Sequence, residues 1–341
     1  MVCKILIDAR KLKDFGVGTH IYSFLHILNE KNIKDYDFKV IYKRKNKLFK
    51  FNSLIFPFGE YHSFSILFFG IWTRKIKYDI FYSPFFNLSP FLKKSIITVH
   101  DLIPIKFPEI YRNKFGYFFY KKYFKYSVKK AKKIFVVSKT TENDLIEYCP
   151  NLKSKIIKIP NSTHPLFYKN YNFKKENYFC FIGNNKEHKN LKILLRVWED
   201  FSKKYPNFYL YIISPVNISL KNVRIFKNLK TEELIEILGK AKALISPSIY
   251  EGFNLPLLEA ILLLTPPLVS NIPSNIEQLG LDYPFYFEPN DSNFLFTQME
   301  KIIKENEICQ EILKNIKEKN ENTPENLTSK ILKNLNPDFP N

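Results

Sequence analysis

Short apolar segments alternate with segments of helical periodicity along this chain, and the alternation restricts its fold more than any other feature. In the first half, strand-like runs occur at 4–9, 37–42, 79–82, 95–99, 133–137 and 155–159, with helical spacing at 19–30, 111–130 and 139–148. Strands that alternate with helices are typical of a parallel sheet, because each parallel pair needs a crossover connection. We therefore expect an α/β chain in which helices flank a parallel sheet.

The pattern stops once and then starts again. A break at 160–165 and a polar run at 169–177 precede new strand-like runs at 178–182, 208–213 and 241–246, with helical segments at 190–204, 231–239 and 256–264. This order predicts two doubly wound domains that face a cleft, at 1–168 and 169–325, followed by a tail at 326–341. In such sheets ligands bind beyond the carboxyl ends of the strands, so a site is expected at the strand-to-helix turns.

The net charge of +20 is confined to the first half of the chain. Residues 1–170 hold 32 Lys and Arg against 12 Asp and Glu, whereas residues 171–341 hold 21 of each. A general drift in composition would give both halves an excess of positive charge. The asymmetry therefore suggests that the first half meets an anionic surface, either a nucleic acid or an acidic membrane face.

A row of lysines favours the membrane. In the helical candidate at 111–133, spacings of seven, four and seven place on one stripe Lys114, Lys121, Lys125 and Lys132. An aromatic stripe runs beside them, and this combination suits a helix that lies in an anionic membrane interface. A packed helix with a solvated lysine face remains the alternative.

Three other features bear on localisation. The apolar run at 64–72 is too short to cross a bilayer as a helix, which takes about 20 residues. Asp8 and Arg10 interrupt the N-terminal apolar residues too early for a signal peptide. The four cysteines lack the spacing of a metal or redox motif, which favours reduced thiols. These features predict a cytoplasmic protein.

Two carboxylates mark the most informative segment, 246–259. Glu251 lies in a loop after a predicted strand, and Glu259 lies about one turn into the next helix. Pro256 suits the first turn of that helix, and Asn254 is placed to cap it. Exposed N–H groups at a helix start attract anions, and carboxylates beside them suit sugar hydroxyls. The alternative is that Glu259 only favours the helix dipole while Glu251 is a solvated loop residue.

This segment resembles the Glu-x7-Glu signature of glycosyltransferase family 4. Other segments similar to the family occur along the chain in the order in which the family has them, at 97–104, 107–109, 135–141, 159–161, 181–191 and 287–291. The resemblance implies the GT-B fold of two Rossmann-like domains, with an N-terminal acceptor domain and a C-terminal donor domain. It also implies retaining, metal-independent transfer of a hexose from a nucleotide-diphosphate sugar. The acceptor would be a lipid-linked sugar or a surface polysaccharide of the O-antigen, lipopolysaccharide or capsule type.

The resemblance also assigns roles to residues. The catalytic set would be His100, Asp101 and Glu251, although a single histidine such as His100 is often structural. The donor-binding set would be Gly16, Gly18, Asn184, Lys189, Asn228, Gly252, Phe253, Asn254, Leu255 and Glu259. Lys189 would neutralise the diphosphate and Glu259 would hold the ribose. The nucleotide sugar, a GDP- or UDP-sugar, would be a substrate, and neither a cofactor nor a metal is expected. The enzyme would work on the inner face of the cytoplasmic membrane.

The chain departs from the family pattern at several positions. Asn184 stands where Arg or Lys is usual, and Asn254 and Leu264 stand where Gly is common. These departures support an alternative, a catalytically degenerate partner that kept the fold. A basic nucleic-acid-binding protein is a further alternative, but the sequence carries no recognised binding-module motif. Nucleic acid is therefore not expected among the partners.

Overall fold

A computed structural model describes residues 2–31, 33–59, 63–111 and 114–335. The chain divides into two compact units, one formed by residues up to 163 together with those from 322 onward, the other by residues 164–321. Each unit contains a parallel sheet with helices packed against it. The predicted α/β class, with two doubly wound sheets, is confirmed.

Among the described residues, the first unit has seven strands and, before residue 164, five α-helices. The strands are β1 Cys3–Asp8, β2 Tyr36–Tyr42, β3 Asn52–Ile55, β4 Ile80–Ser83, β5 Ser95–Val99, β6 Lys133–Val136 and β7 Ile156–Lys158. The helices are α1 Val17–Glu30, α2 Ser63–Thr73, α3 Ile103–Lys106, α4 Lys114–Lys130 and α5 Lys139–Tyr148. The sheet order is β3-β2-β1-β4-β5-β6-β7, and all pairs are parallel.

Burial explains why these segments form these elements. At the centre of β1, the apolar residues Ile5, Leu6 and Ile7 are at most 1% exposed, as expected where helices cover a parallel sheet. α1 turns its apolar stripe, including Phe24 and Leu28, into the same core as Ile5 and Ile7. The helical spacing predicted for this segment is thus confirmed.

The second unit repeats the architecture. Its strands are β8 Tyr178–Ile182, β9 Tyr209–Ile213, β10 Val223–Phe226, β11 Ala243–Ser246, β12 Pro267–Ser270 and β13 Tyr286–Phe287. Its helices are α6 Leu191–Lys204, α7 Thr231–Lys240, α8 Leu255–Leu262, α9 Pro273–Leu279, α10 Ser292–Lys304 and α11 Asn306–Glu318. The order β10-β9-β8-β11-β12-β13 is again fully parallel. Every strand therefore directs its carboxyl end to the same edge of the sheet.

The C-terminal segment differs from the prediction of a tail at 326–341. A helix, α12 Pro324–Leu335, packs on the first unit and pairs mainly with α1. Leu327, Ile331 and Leu335 recur every four residues and are at most 2% exposed in the core shared with β1. This apolar stripe holds the segment in place. The part of the predicted tail at 336–341 lies outside the described residues.

Short strands and apolar helices were the elements missed from sequence. The predictions lacked β3, β10, β12 and β13, each of two to four residues, together with α2, α3 and α9. Short apolar runs carry too little periodicity to separate strand from helix. Within residues 2–31, 33–59, 63–111 and 114–335, no helix combines the length and the apolarity that crossing a membrane demands.

Candidate active site

Lys189 and Glu251 form an ion pair beyond the carboxyl ends of two neighbouring strands. Glu251 lies in the loop after β11, and Lys189 ends a short 3-10 turn, Glu187–Lys189, after β8. Because β8 and β11 pair in the sheet, the two loops emerge side by side. Lys189 Nζ donates to Glu251 Oε1 over 2.6 Å, and the two side chains are only 15% and 7% exposed. Two residues that the sequence assigns to one site are therefore in contact.

Ser248 completes this contact. Its hydroxyl is 1% exposed and donates to the same Oε1 of Glu251 over 2.6 Å. Among the described residues, no group donates a hydrogen bond to Oε2 of that carboxylate. The interpretation of Glu251 as a solvated loop residue is wrong, because Glu251 is 6% exposed and held by two donors. Sequence reasoning missed Ser248, since no pattern separates it from Ser246 on the same segment.

The backbone ties the Lys189 turn to the Glu251 loop. The N–H of Ile249 donates to the carbonyl of His188 over 2.8 Å. Burial lowers the pKa of His188 to about 4, although the Glu251 carboxylate acts in the opposite direction. His188 is therefore neutral at neutral pH, and it adds no positive charge beside Lys189.

Asn254 does not cap α8 through its side chain, which corrects the sequence expectation. Its backbone is left-handed, with φ 47°, and no side chain caps the helix start. The side-chain Nδ2 donates instead to Ser246 Oγ over 3.1 Å and to Asn275 Oδ1 over 2.8 Å. Asn275 in turn donates to the carbonyl of Ser270. Asn tolerates the left-handed region better than most residues, and this network fixes the end of the loop.

Glu259 lies inside α8 and is 8% exposed. After burial, its charge is the second cause that raises the pKa of the Cys180 thiol on β8. The Glu259 carboxylate therefore lies near the central strands and not on the outer surface of the helix. A role limited to the helix dipole does not account for this burial, because dipole partners work at exposed positions as well.

The remaining predicted donor residues of this unit lie at the same edge of the sheet. Asn184 follows β8, and its Oδ1 accepts from the N–H of Lys186 over 3.1 Å. Gly252 and Phe253 precede Asn254, and Leu255 begins α8. Gln278 on α9 donates through Nε2 to the carbonyl of Phe253. These contacts position the loop backbone.

An open cavity of about 610 Å³ lies beyond β9 and β10. It is lined by Val216, Asn217, Ile218, Ser219, Ile225 and Lys227. Lys227 Nζ donates to Asn217 Oδ1 over 2.6 Å, and three of the six lining residues, Val216, Ile218 and Ile225, are apolar. Asn228, a predicted donor residue, comes directly after this lining and has a left-handed backbone with φ 53°. The cavity suits a flat ring that carries polar atoms at its edge.

In the first unit, His100 contacts a second histidine that sequence reasoning missed. His20 on α1 and His100 after β5 lie edge to face, with ring centroids 5.0 Å apart. His20 is hydrogen-bonded to Asn161 Oδ1 over 2.8 Å and to the Tyr82 hydroxyl over 3.2 Å. His100 Nε2 lies 2.9 Å from the carbonyl of Pro84. The signal for His20 was its place one turn before Phe24 on the buried face of α1.

Burial makes both histidines neutral. It lowers the pKa of His20 to about 3, and the neighbouring His100 adds to the shift. It lowers the pKa of His100 to about 4; the Pro84 carbonyl opposes this shift, and the charge of Lys11 adds to it. A neutral imidazole donates through one ring nitrogen and accepts through the other, so each histidine serves as a hydrogen-bonding group at neutral pH.

Asp101 and the two glycines of the first loop have local backbone roles. Asp101 Oδ1 accepts from the N–H of Ile103 over 2.9 Å at the start of α3. Gly16 has φ 65°, a region that favours glycine. A Cβ on Gly18 would lie 2.5 Å from the carbonyl oxygen of Leu12, so only glycine fits there. The loop 10–16 therefore packs closely against the start of α1.

The predicted lysine stripe is exposed but not wholly helical. Lys114, Lys121 and Lys125 lie on α4, whereas α4 ends at Lys130 and Lys132 lies beyond it. The prediction of one helix through residue 133 is therefore wrong at its end, because the chain turns there into β6. Lys122, which was not predicted, lies with Nζ 4.4 Å from the ring centroid of Phe118.

Metal ligands do not gather in the part of the chain that the structure describes. There, no three His, Cys, Asp or Glu side chains come together in a group able to hold a metal ion.

Family models match both units. The model of the Glycosyltransferase Family 4 matches residues 16–165, and the model of Glycosyl transferases group 1 matches residues 165–319. One curated relative is the O-antigen chain mannosyltransferase RfbU of Salmonella typhimurium, which is 31% identical over 218 residues. That match covers 59% of this chain and 59% of the length of RfbU.

Solved structures share the fold. Sucrose-phosphate synthase from Thermosynechococcus elongatus gives a TM-score of 0.75 at 13% identity and covers 96% of this chain and 97% of its own. HepE of Anabaena in complex with UDP-glucose gives 0.74 at 12% identity, with coverage of 97% and 99%. The TM-scores support the GT-B fold with its two Rossmann-like domains. At identities of 13% and 12%, the similarity is one of fold alone. Since the two family models together match residues 16–319, the chain belongs to the group 1 glycosyltransferases of family 4.

Proposed function

We propose that this protein transfers a hexose from a nucleotide-diphosphate sugar to a saccharide acceptor. The observation that carries the proposal is the buried contact of Lys189 with Glu251 beside the start of α8. A cation and a helix start suit a diphosphate, and a carboxylate suits sugar hydroxyls. This combination occurs where ligands bind in doubly wound sheets, beyond the carboxyl ends of the strands.

The second unit would bind the donor. Lys189 and the N–H groups at the start of α8 would neutralise the diphosphate, which gains charge as it leaves, without a required metal ion. Glu251 would contact the sugar and Glu259 the ribose hydroxyls. The cavity lined by residues 216–219 together with Ile225 and Lys227 would hold the base, with Asn228 directly after it in the chain. The backbone of Gly252 to Leu255 and the side chain of Asn184 would complete the set. Transfer would retain the anomeric configuration.

The first unit would bind the acceptor. His100 and Asp101 would act near the reacting sugar, with His100 neutral because burial lowers its pKa to about 4. Gly16 and Gly18 would allow the close approach of the loop backbone to the diphosphate. RfbU is named an O-antigen chain mannosyltransferase, which supports a mannose donor and a lipid-linked or surface-polysaccharide acceptor. HepE was solved with UDP-glucose, so a UDP-sugar is the second candidate donor.

We also propose that the first unit docks on an anionic membrane. Two helices expose apolar side chains on their outer faces, Leu67, Phe68 and Ile71 on α2 and Phe115, Phe118 and Phe119 on α4. Both helices turn their inner faces into one core, through Phe69 of α2 and through Tyr120 and Phe124 of α4. Neither helix contains an acidic residue, and α4 carries six lysines.

This surface fits an anionic bilayer at its cytoplasmic face. Soluble monomers rarely expose large contiguous apolar areas, and lysines beside such an area attract acidic lipid headgroups. Lysine stems also pack along aromatic rings while the ammonium stays in water, as Lys122 does over Phe118. The predicted stripe of Lys114, Lys121 and Lys125 lies on this same helix. Nucleic acid is not proposed as a partner.

A thermal-shift screen tests the donor site. UDP, GDP, ADP, CMP and dTDP are each added to the purified chain, together with the matching nucleotide sugars. A ligand that binds only the folded state raises the melting temperature. We expect a shift with GDP or UDP that Glu259→Ala removes. If none of these ligands raises the melting temperature, the result would favour the catalytically degenerate partner instead.

A further inference from the structure

We infer that Ser248 is a positioning residue that holds the Glu251 carboxylate in place for the donor sugar, and this inference rests on the proposed function. The hydrogen bonds to Glu251 are one-sided. Lys189 Nζ and Ser248 Oγ both donate to Oε1, each over 2.6 Å. Among residues 2–31, 33–59, 63–111 and 114–335, none donates to Oε2. One oxygen is thus fixed by the protein, while the other remains available to a sugar hydroxyl.

The two donors differ in what a bound diphosphate does to them. A diphosphate carries more negative charge than one carboxylate, so it competes with Glu251 for the ammonium group of Lys189. Ser248 is neutral and 1% exposed, and it lies only three residues before Glu251 on the same loop. Its hydroxyl therefore stays on Oε1 when Lys189 turns to the diphosphate. Without that hydroxyl, the carboxylate would lose its remaining fixed donor when the sugar needs it oriented.

The fold of this loop does not depend on the Ser248 hydroxyl. At one end, the N–H of Ile249 is bonded to the carbonyl of His188. At the other end, Asn254 is bonded to Ser246 and Asn275. Because other contacts anchor the loop, replacing Ser248 should change the orientation of Glu251 more than the stability of the unit.

Titration calorimetry of three variants tests the inference. GDP and GDP-mannose, or UDP and UDP-glucose if the wild type prefers them, are titrated into the wild type, Ser248→Ala, Ser248→Thr and Ser246→Ala. We expect Ser248→Ala to weaken binding of the nucleotide sugar about tenfold and that of the nucleotide less than about twofold, as the loss of one charge-assisted hydrogen bond implies. Ser248→Thr keeps a hydroxyl and should restore sugar-nucleotide binding. The control Ser246→Ala removes a loop contact without touching Glu251, and it should leave the ratio of the two affinities unchanged.

The outcomes separate the inference from the proposed function. Equal weakening of nucleotide and nucleotide sugar in Ser248→Ala, or no weakening of either, would contradict the role of Ser248 alone. A wild type that binds neither pair would contradict the proposed donor site itself. If Ser248→Ala does not fold, as judged by its melting temperature, Ser248→Cys replaces it, because a thiol is similar in size but a weak donor. The same expectations then apply.

Discussion

His20 and His100 meet edge to face inside the first unit, with ring centroids 5.0 Å apart, and burial keeps both rings uncharged. His20 comes from α1 and His100 from the turn after β5, so the contact joins the helix that follows the glycine loop to the centre of the sheet. A proton on either ring would place a charge beside the other ring in a region of low dielectric. The pair therefore makes the stability of this unit sensitive to acid.

Acid should destabilise the wild type more than a variant without the His20 imidazole. Burial lowers the pKa of His20 from 6.5 to about 3, so between these values the unfolded chain binds more protons than the folded one. The free energy of unfolding then falls as the pH falls through this window, by at most about 1.4 kcal/mol per pH unit for one group. His20→Gln can donate to Asn161 and accept from Tyr82 without titrating. Urea unfolding at about pH 7 and about pH 5 should show a smaller loss in this variant; identical losses would contradict the account.

Gly18→Ala should destabilise the first unit. Its Cβ would lie 2.5 Å from the carbonyl oxygen of Leu12, and a backbone atom cannot move aside as a flexible side chain can. We expect a loss above about 2 kcal/mol, as for other overpacked buried sites. Gly59→Ala is the matched control, because nothing lies within 4 Å of its added Cβ. Melting temperatures of the two variants measure the effect, and similar values for both would count against the close packing of loop 10–16 on the start of α1.

The apolar surface of α2 and α4 should bind anionic vesicles. Phe68 and Ile71 are 57% and 47% exposed, and replacing both with Ser removes apolar area that the membrane would cover. We expect co-sedimentation with phosphatidylglycerol vesicles to weaken about tenfold or more, since partial burial of two such side chains is worth about 2 kcal/mol. Leu281→Ser is the control, because Leu281 is 80% exposed but belongs to the second unit.

Salt and lipid charge distinguish the interpretations of this surface. Added salt should weaken vesicle binding, because the six lysines of α4 act through screened charges. Equal binding to neutral phosphatidylcholine vesicles, with no response to salt, would contradict an electrostatic contribution of these lysines to membrane binding. Retention on duplex DNA with a steep salt dependence, without vesicle binding, would support the nucleic-acid alternative.

The sequence predicts the two sheets well because parallel strands are buried on both faces and consist of mostly apolar residues, as β5 and β8 do. It does not predict β13, whose two residues carry no periodicity. It identifies Lys189 and Glu251 through a resemblance in motif, but their contact depends on the pairing of β8 with β11, which no local pattern encodes. Ser248 could not be predicted from the sequence for the same reason, because its role depends on the hydrogen bond from its hydroxyl to Glu251.

Asn254 shows where residue type and backbone geometry must be read together. A polar residue before a helix indicates a cap, yet this residue has a left-handed backbone and bonds to Ser246 and Asn275. Leu264, two residues beyond α8, is also left-handed, with φ 52°. Both positions stand where the resemblance has Gly, the residue that adopts a left-handed backbone most readily.

Hexose transfer by the wild type and by Glu251→Gln tests the central claim most directly. The variant keeps the shape of the side chain and a carbonyl oxygen for Lys189 and Ser248, but it loses the negative charge. Labelled GDP-mannose or UDP-glucose is supplied with polyprenyl-linked saccharides, and labelled product is counted. The account predicts transfer by the wild type and at least about a hundredfold less by Glu251→Gln, at an unchanged melting temperature. Transfer at wild-type rates by Glu251→Gln would contradict it.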